Sequence, residues 1–310
     1  MKAISVRTWI WVGVLAPLAA ALAAEEPMKP EYEETRELMA VVREATDLVT
    51  GEGVDAACAK FRVKDSRWYQ DDDYVFVLGM DGEALCHPAR PSLEGRNLME
   101  LRDPKGRPIA VLLLRELESS DQGWVHYLWP RPDETVFYWK TSHVRRAKDP
   151  SGQELMVASG RYQMKMEPFF VAEQVEDAIE LIRERGTAEA FAALRDESSG
   201  FLFYNAYVFV LDENGTLLVN NAFPENEGKD LSDLEDSDGK PFVREMLAVP
   251  ADGSAWVDYK WPRPGDTWPS AKSSFVRHVE INGQRLFVGS GVYFGLAPKV
   301  QEDSSAPLGG

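Results

Sequence analysis

Four blocks of this sequence occur twice, in the same order. They are Tyr-Val-Phe-Val-Leu, Trp-Val-x-Tyr-x-Trp-Pro-Arg-Pro, Lys-x-Ser-x-Val-Arg and Ser-Gly-x-Tyr, which begin at positions 74, 124, 140 and 159 and return at 207, 256, 272 and 290. The spacing therefore shortens from 133 to 131 residues, which indicates one duplicated unit with small deletions in its loops. Solenoid repeats are only about 20–50 residues long, whereas a whole domain is about 100–150. The sequence predicts two related domains.

The N-terminus has the composition of a secretory signal peptide. Lys2 and Arg7 precede an apolar run from Trp9 to Leu22, and small residues follow it. An uncleaved membrane anchor is the alternative, but the run is short for a span of about 20 residues. We therefore expect residues 1–24 to be removed and the mature protein to be periplasmic. The polar tail at 298–310 is predicted to be disordered.

The charge of the chain limits its partners. It has 51 acidic and 34 basic residues, with a formal net charge of −17. Nucleic acids and anionic lipids are polyanions and are disfavoured as partners of such a surface. The sequence predicts no nucleic-acid binding and, after signal cleavage, no stable membrane insertion.

The two cysteines, Cys58 and Cys86, fall at positions that the second repeat fills with Phe191 and Val219. These apolar counterparts indicate that both cysteines are buried. An oxidising compartment permits a disulfide between them, and two buried free thiols are the alternative.

Each repeat shows the same succession of periodic patterns. A long helical pattern meets a glycine (Gly51 and Gly53 in the first repeat, Gly186 in the second), and a short second helix follows. A strand pair with a Gly-containing turn, a short helix and three further strands complete the unit. This order predicts an α+β fold with a five-stranded antiparallel sheet behind a long N-terminal helix, at residues 28–165 and again at 166–297.

The duplicated blocks resemble the extracellular Cache domain, in its single-unit, PAS-like form. Besides the four blocks, the resemblance rests on His87-Pro88, Gly-Arg-Asn-Leu at 95–98 and Gly-Lys-Asp-Leu at 228–231. It implies a pocket for a small molecule, often a short-chain carboxylate, between the sheet and its flanking loops. Family members usually carry a membrane helix that leads to a signalling domain. This sequence contains neither a second apolar span nor an output module.

A small organic anion needs a cation, hydroxyl or amide donors and an apolar wall. In the second repeat, Tyr259 and Trp261 share one face of a strand, Lys272 supplies a cation with Ser274 two residues later, and Tyr293 adds a phenol. The alternative is that the aromatic rings are ordinary core and the lysine an exposed strand residue. The candidate ligand-binding residues are Arg67, Tyr69, Tyr127, Trp129, Lys140, Ser142, Tyr162, Tyr204, Tyr259, Trp261, Lys272, Ser274 and Tyr293.

The sequence contains none of the common motifs of enzyme active sites. The four histidines have no metal-ligand spacing, and no nucleophile elbow, P-loop or dinucleotide fingerprint is present. Acidic segments at 71–73 and 233–238 are interpreted as solvated loops. We expect a non-enzymatic, cofactor-free sensory or solute-binding protein that recognises a small organic acid or similar metabolite. The alternative is an interaction module that docks a membrane sensor kinase, chemoreceptor or envelope complex.

Overall fold

A computed structural model describes residues 29–294 of the protein, so the predicted signal peptide and the predicted disordered tail lie outside the described residues. The helices are α1 (Glu33–Glu52), α2 (Val54–Phe61), α3 (Ile109–Ser119), α4 (Pro168–Arg195) and α5 (Phe242–Leu247). The strands of the first repeat are β1 (Tyr69–Gln70), β2 (Asp73–Gly79), β3 (Ala84–Cys86), β4 (Gln122–Pro130), β5 (Phe137–Lys148) and β6 (Glu154–Tyr162). Those of the second are β7 (Leu202–Phe203), β8 (Ala206–Tyr207), β9 (Phe209–Asp212), β10 (Leu217–Asn220), β11 (Ser254–Pro262), β12 (Pro269–Ile281) and β13 (Gln284–Tyr293).

Each repeat builds an antiparallel sheet with one strand order. The first sheet runs β1-β2-β6-β5-β4 with β3 paired to β2, and the second runs β10-β9-β13-β12-β11. The predicted α+β fold, with a long helix before each sheet, is confirmed. The short strand β1 makes the first sheet six-stranded. Its counterpart β7 instead pairs with β8 in a separate two-stranded ribbon.

The long helices pack on their sheets and end at equivalent glycines. The buried residues of α1 include Leu38, Val42, Ala45 and Val49, whose spacing forms one apolar stripe against β5 and β6. α1 ends at Gly53 (φ 84°, ψ 165°), and α4 bends at Gly186, 133 residues later, with φ 74° and ψ 165°. Residues with a Cβ atom rarely adopt this backbone conformation, so glycine is favoured at both helix interruptions. Gly51, which was also expected to interrupt α1, lies inside the helix.

The two repeats share a continuous apolar core. Leu128 and Trp139 of the first repeat belong to the same buried cluster as Phe170 and Tyr204 of the second. Arg107, which is fully buried, donates hydrogen bonds across the boundary to the backbone oxygens of Glu197 and Leu202, at 3.3 and 3.0 Å. The second repeat is therefore packed directly against the outer face of the first sheet.

A disulfide joins α2 to β3. It connects Cys58 and Cys86, whose Cα atoms are 5.9 Å apart, and both residues are buried in the cluster between α1, α2 and the first sheet. Cys86 immediately precedes His87, so the bond fixes the chain where it enters the loop after β3. No helix within residues 29–294 has both the length and the apolarity needed to cross a membrane.

Candidate functional site

Strand register brings a lysine between two tyrosines in each repeat. On β4, β5 and β6, Tyr127 pairs with Lys140, which pairs with Tyr162. The equivalent strands of the second repeat align Tyr259, Lys272 and Tyr293 in the same way. Directly opposite residues of an antiparallel sheet project to the same face. The predicted grouping of one lysine with two tyrosines is therefore present once in each repeat.

Both lysines are buried. Lys140 is 0% and Lys272 1% exposed, and neither Nζ atom has a hydrogen-bond partner among the described residues. Each Nζ lies over aromatic rings instead: that of Lys140 is 3.8 Å from the Tyr74 centroid, and that of Lys272 is 3.9 Å from the Tyr207 centroid. A ring face attracts a cation but leaves its N–H donors unused. Each site thus holds a buried amine whose N–H donors are unused.

Glycine makes room for each lysine. A Cβ on Gly160 would lie 2.2 Å from Ser142 Oγ and 2.8 Å from Lys140 Cε. A Cβ on Gly291 would meet the equivalent atoms of Ser274 and Lys272 at 2.4 and 2.7 Å. Such approaches exclude any larger residue without displacement of the neighbours. The repeated Ser-Gly-x-Tyr block is therefore explained by close packing on the lysine.

Hydroxyl and indole groups complete the arrangement. Tyr127 and Ser142 share a buried hydrogen bond of 2.8 Å, and Tyr259 and Ser274 one of 3.0 Å. In the first repeat, Trp129 Nε1 also donates to the Tyr74 hydroxyl at 2.9 Å. Polar groups and rings of the sheet therefore form one wall of each site.

A small cavity adjoins the sheet wall in each repeat. Its volume is about 20 Å³ in the first repeat and about 40 Å³ in the second. One water needs roughly 10–15 Å³, so the first cavity has room for about one water and the second for about three. The first is lined by Tyr74, Phe76, Leu78, His87, Leu98, Leu101, Ile109, Ala110, Leu113, Tyr127 and Trp129. The second is lined by Tyr207, Phe209, Leu211, Leu217, Asn220, Asn226, Leu231, Leu234, Phe242, Val243, Met246, Tyr259 and Trp261.

His87 and Arg90 distinguish the first cavity from the second. The Nδ1 atom of His87 accepts the Arg90 backbone N–H at 3.1 Å, so a neutral ring carries its proton on Nε2. Burial lowers the pKa of His87 to about 3. The Arg90 guanidinium lies 5.9 Å from the Trp129 ring. At the equivalent positions, 133 residues later, the second repeat has Asn220 and Phe223.

The two lysines differ electrostatically. Burial lowers the pKa of Lys140 to about 7, and the carboxylates of Asp73 and Asp72 oppose that shift. Burial alone lowers the pKa of Lys272, and it does so strongly. The second repeat has Asn205 and Ala206 where the first has the two aspartates. The two lysines therefore occupy equivalent positions, but nearby carboxylates favour the charged form of Lys140 only.

Two predicted site residues lie elsewhere. Arg67 is half exposed and forms two hydrogen bonds, of 2.5 and 2.6 Å, to the Glu44 carboxylate on α1. Tyr204 packs on Trp139 of the other repeat, with its hydroxyl 3.2 Å from Thr141 Oγ1. The structure thus does not bring Arg67 or Tyr204 to the lysine sites. The buried ring of Tyr69 does lie beside Tyr74, at 5.9 Å between centroids, and Trp261 lines the second cavity.

The acidic segments also hold structural carboxylates. Asp72 pairs with Arg131, and Asp73 with Arg161 at 2.8 Å. Asp236 accepts the Lys260 backbone N–H, at the free edge of the second sheet, at 2.9 Å. These three aspartates are partly exposed, as the interpretation of solvated loops implies, and each also holds an arginine or a backbone N–H. Sequence pattern gives no signal for such partners, because they are distant in the chain.

A duplicated α+β fold with a small cavity beside each sheet defines the class of this protein. The sequence profile of the Cache domain matches it twice in tandem, at residues 57–192 and 183–299. The chain belongs to the Cache domain family, as the resemblance of its duplicated blocks predicted.

Curated relatives that resemble the chain are membrane-signalling proteins. The methyl-accepting chemotaxis protein McpP of Pseudomonas putida is 32% identical over 110 residues, which is 36% of this chain and 20% of McpP. The sensor histidine kinase MctS of Rhizobium johnstonii is 33% identical over 89 residues, 29% of this chain and 19% of MctS. The chain thus matches about a fifth of the length of these relatives. Among solved structures, a Cache chemosensory domain whose description concerns carboxylic acid recognition is 25% identical in sequence to this chain. The match covers 42% of this chain and 92% of the solved one, with a TM-score of 0.37.

Proposed function

We propose that this protein is a periplasmic, non-enzymatic sensory protein whose two Cache domains, at residues 28–165 and 166–297, recognise a small organic acid. The observation that carries the proposal is the pair of buried lysines whose Nζ atoms have no hydrogen-bond partner among the described residues. An unpaired buried cation is costly, and an anionic ligand relieves that cost. The membership of the chain in a sensor-domain family supports the same assignment.

A carboxylate matches the donors that surround each lysine. Lys140 offers three N–H donors, and the Tyr127–Ser142 pair can turn a hydroxyl proton toward an acceptor. The aromatic walls would enclose a short carbon chain and exclude water, which strengthens the ionic contact. We expect a ligand of a few carbon atoms, because larger molecules would require extensive separation of α3 from the sheet.

The small volume of the cavities indicates that binding requires movement. A carboxylic acid is larger than one or two waters, so the layer of α3 and its preceding loop must move away from the first sheet. This movement would be the conformational signal of the protein. In line with the relatives, the proposed recipient is a membrane-bound chemoreceptor or sensor kinase.

The interaction-module alternative is less well supported at these residues. Lysines that contact a partner protein would be exposed beside an apolar patch, whereas Lys140 and Lys272 are buried. The repeated Lys, Ser and Tyr residues therefore favour a small ligand over a docked protein.

The proposal is tested by thermal unfolding of the mature protein with short-chain carboxylates, each matched by its uncharged amide. A ligand at 100 times its dissociation constant stabilises its domain by about 2.7 kcal/mol, which raises the midpoint by several degrees. The carboxylate should act and the amide should not. Lys140→Met and Lys272→Met assign the response to one cavity or to both.

A carboxylate response that persists in the double variant would contradict the lysine assignment. Absence of any response across carboxylates, amino acids and amines would contradict small-ligand recognition itself.

A further inference from the structure

The outer face of the first sheet is covered by the start of α4. Trp124 packs against Phe169 and Phe170, with centroid distances of 6.0 and 5.1 Å. His126 lies 4.7 Å from Phe170 and stacks on Phe203 at 4.0 Å. The first repeat therefore binds a helix start that presents two adjacent phenylalanines.

In the second repeat, α4 packs on β12 and β13, but among residues 29–294 no helix start covers the edge strand β11 on this face. Trp256, at the position of Trp124, packs on Phe275 at 5.3 Å and remains 37% exposed. Phe294, at the end of β13, is 57% exposed. Trp256 and Phe294 line the same groove, and large apolar side chains exposed along one groove mark an interaction surface more often than isolated ones do.

A groove of about 630 Å³ connects this face to the core between the repeats. Its walls include Trp256, Val292 and Phe294 of the second repeat, and Met164 and Met166 of the segment that joins the repeats. We name these five residues the Trp256 strip. Because Tyr204 and Pro168 also line the groove, the strip continues the interface that already holds α4 on the first sheet.

Two other positions on this face carry smaller or more polar residues than their counterparts in the first repeat. Lys260 stands where the first repeat has the buried Leu128, and it pairs with Asp238 at 2.8 Å. Ala271 stands where the first repeat has Trp139. With these replacements, Trp256 and Phe294 are the exposed large apolar side chains of the Trp256 strip.

We propose that the Trp256 strip binds the first turns of an α-helix from a partner protein, and that this helix presents two adjacent aromatic side chains followed by a basic one. The aromatic pair is inferred from the way Phe169 and Phe170 cover the equivalent tryptophan. The basic residue follows from charge: Asp258 replaces His126, so the side chain one turn after the second aromatic residue meets a carboxylate. In α4 that position is Glu173, which lines the same cleft as His126.

The probe for this surface is a peptide that copies residues 164–183 with Glu173→Lys, held helical by a side-chain staple on its solvent face. Isothermal titration against the mature protein should detect binding. The same peptide with glutamate retained at position 173 should bind several-fold more weakly, and a version with Phe169→Ala and Phe170→Ala at least tenfold more weakly.

Two protein variants locate the contact. Trp256→Ala should weaken binding of the Glu173→Lys peptide at least tenfold. Trp268→Ala removes a tryptophan that is 81% exposed and does not line the groove, so it should leave binding unchanged. Absence of binding, or binding that Trp256→Ala does not weaken, overturns the proposal. Self-association that depends on Trp256, seen by sedimentation, would assign the strip to a second copy of this chain and also overturn it.

Discussion

The side-chain nitrogen of Lys272 lies 3.9 Å from the centroid of the Tyr207 ring. The pKa of this lysine is lowered strongly by burial alone, whereas Asp73 and Asp72 partly counteract the same effect at Lys140. The charged form of Lys272 is therefore more costly, in folding free energy, than that of Lys140. Residues kept at such a cost commonly serve function rather than stability.

Replacement of Lys272 by methionine should stabilise the protein. Methionine fills a similar apolar volume and removes a buried amine without a hydrogen-bond partner, so we expect a gain of about 1–3 kcal/mol. Lys140→Met should gain less, because it also removes attraction to Asp73. Urea unfolding at neutral pH measures both. Destabilisation by Lys272→Met would mean that the amine makes a net favourable interaction in the folded state.

Acid should destabilise the protein through its buried histidines. Burial lowers the pKa of His87, His126 and His143 to about 3, below the value of about 6.5 in an unfolded chain. Between these values the unfolded state binds more protons than the folded state. The contribution of these histidines to stability is therefore lost as the pH falls from about 6.5 to about 3.

His143→Phe tests this directly, because the second repeat carries Phe275 at that position. Both ring nitrogens of His143 lack a hydrogen-bond partner among the described residues. The variant should lose stability less steeply on acidification, by up to about 1.4 kcal/mol per pH unit. Carboxyl groups with a raised pKa, such as that of Asp73, contribute stability as the pH falls, and they do so equally in the parent protein and in the variant. Parallel pH–stability curves for the variant and the parent would refute the assignment.

Loss of the disulfide should weaken the first repeat. Cys58 and Cys86 are 28 residues apart, and closure of a loop of that length is worth about 3–4 kcal/mol on the chain-entropy estimate. Cys58→Ala with Cys86→Ala should lower the unfolding midpoint, and a reducing agent should have the same effect on the parent protein only. If reductant shifts the double variant as well, the bond is not the cause.

Duplication made most of the sheet predictable from sequence. A block that recurs in order must occupy equivalent places, so Lys140 and Lys272 could be assigned to one kind of site before any contact was known. The ends of the strands are less predictable, because the duplicated Lys-x-Ser-x-Val-Arg block begins several residues inside β5 and β12. The strands extend back to Phe137 and Pro269, because cross-strand pairing continues where no clear alternation marks a strand.

Residues whose place depends on packing between elements were not predictable. Arg67 precedes a pocket strand, but Glu44 on α1 binds it elsewhere. Tyr204 contacts the other repeat, which one repeat considered alone cannot reveal. By contrast, Tyr74 and Tyr207 lie in a duplicated block, so the sequence could have identified them as candidate site residues. His87 lacked this signal, since the second repeat has Asn220 instead.

Close packing on the lysines predicts that Gly160 cannot be enlarged. The Cβ of Gly160→Ala would lie 2.2 Å from Ser142 Oγ, so Ser142 and Lys140 must move, at a cost of about 1–3 kcal/mol for overpacking. Because the displaced groups are the proposed ligand donors, the variant should also lose the carboxylate response. Thermal unfolding with and without carboxylate measures both effects.

Gly51→Ala is the matched control for that prediction. Gly51 lies within α1, and a Cβ added there would have no neighbouring atom within 4 Å, so alanine should raise stability by about 0.5–1 kcal/mol through helix propensity. The carboxylate response should be unchanged. Equal tolerance of alanine at Gly160 and Gly51 would show that the sheet can relax around the lysine, and the repeated Ser-Gly-x-Tyr block would then need another explanation.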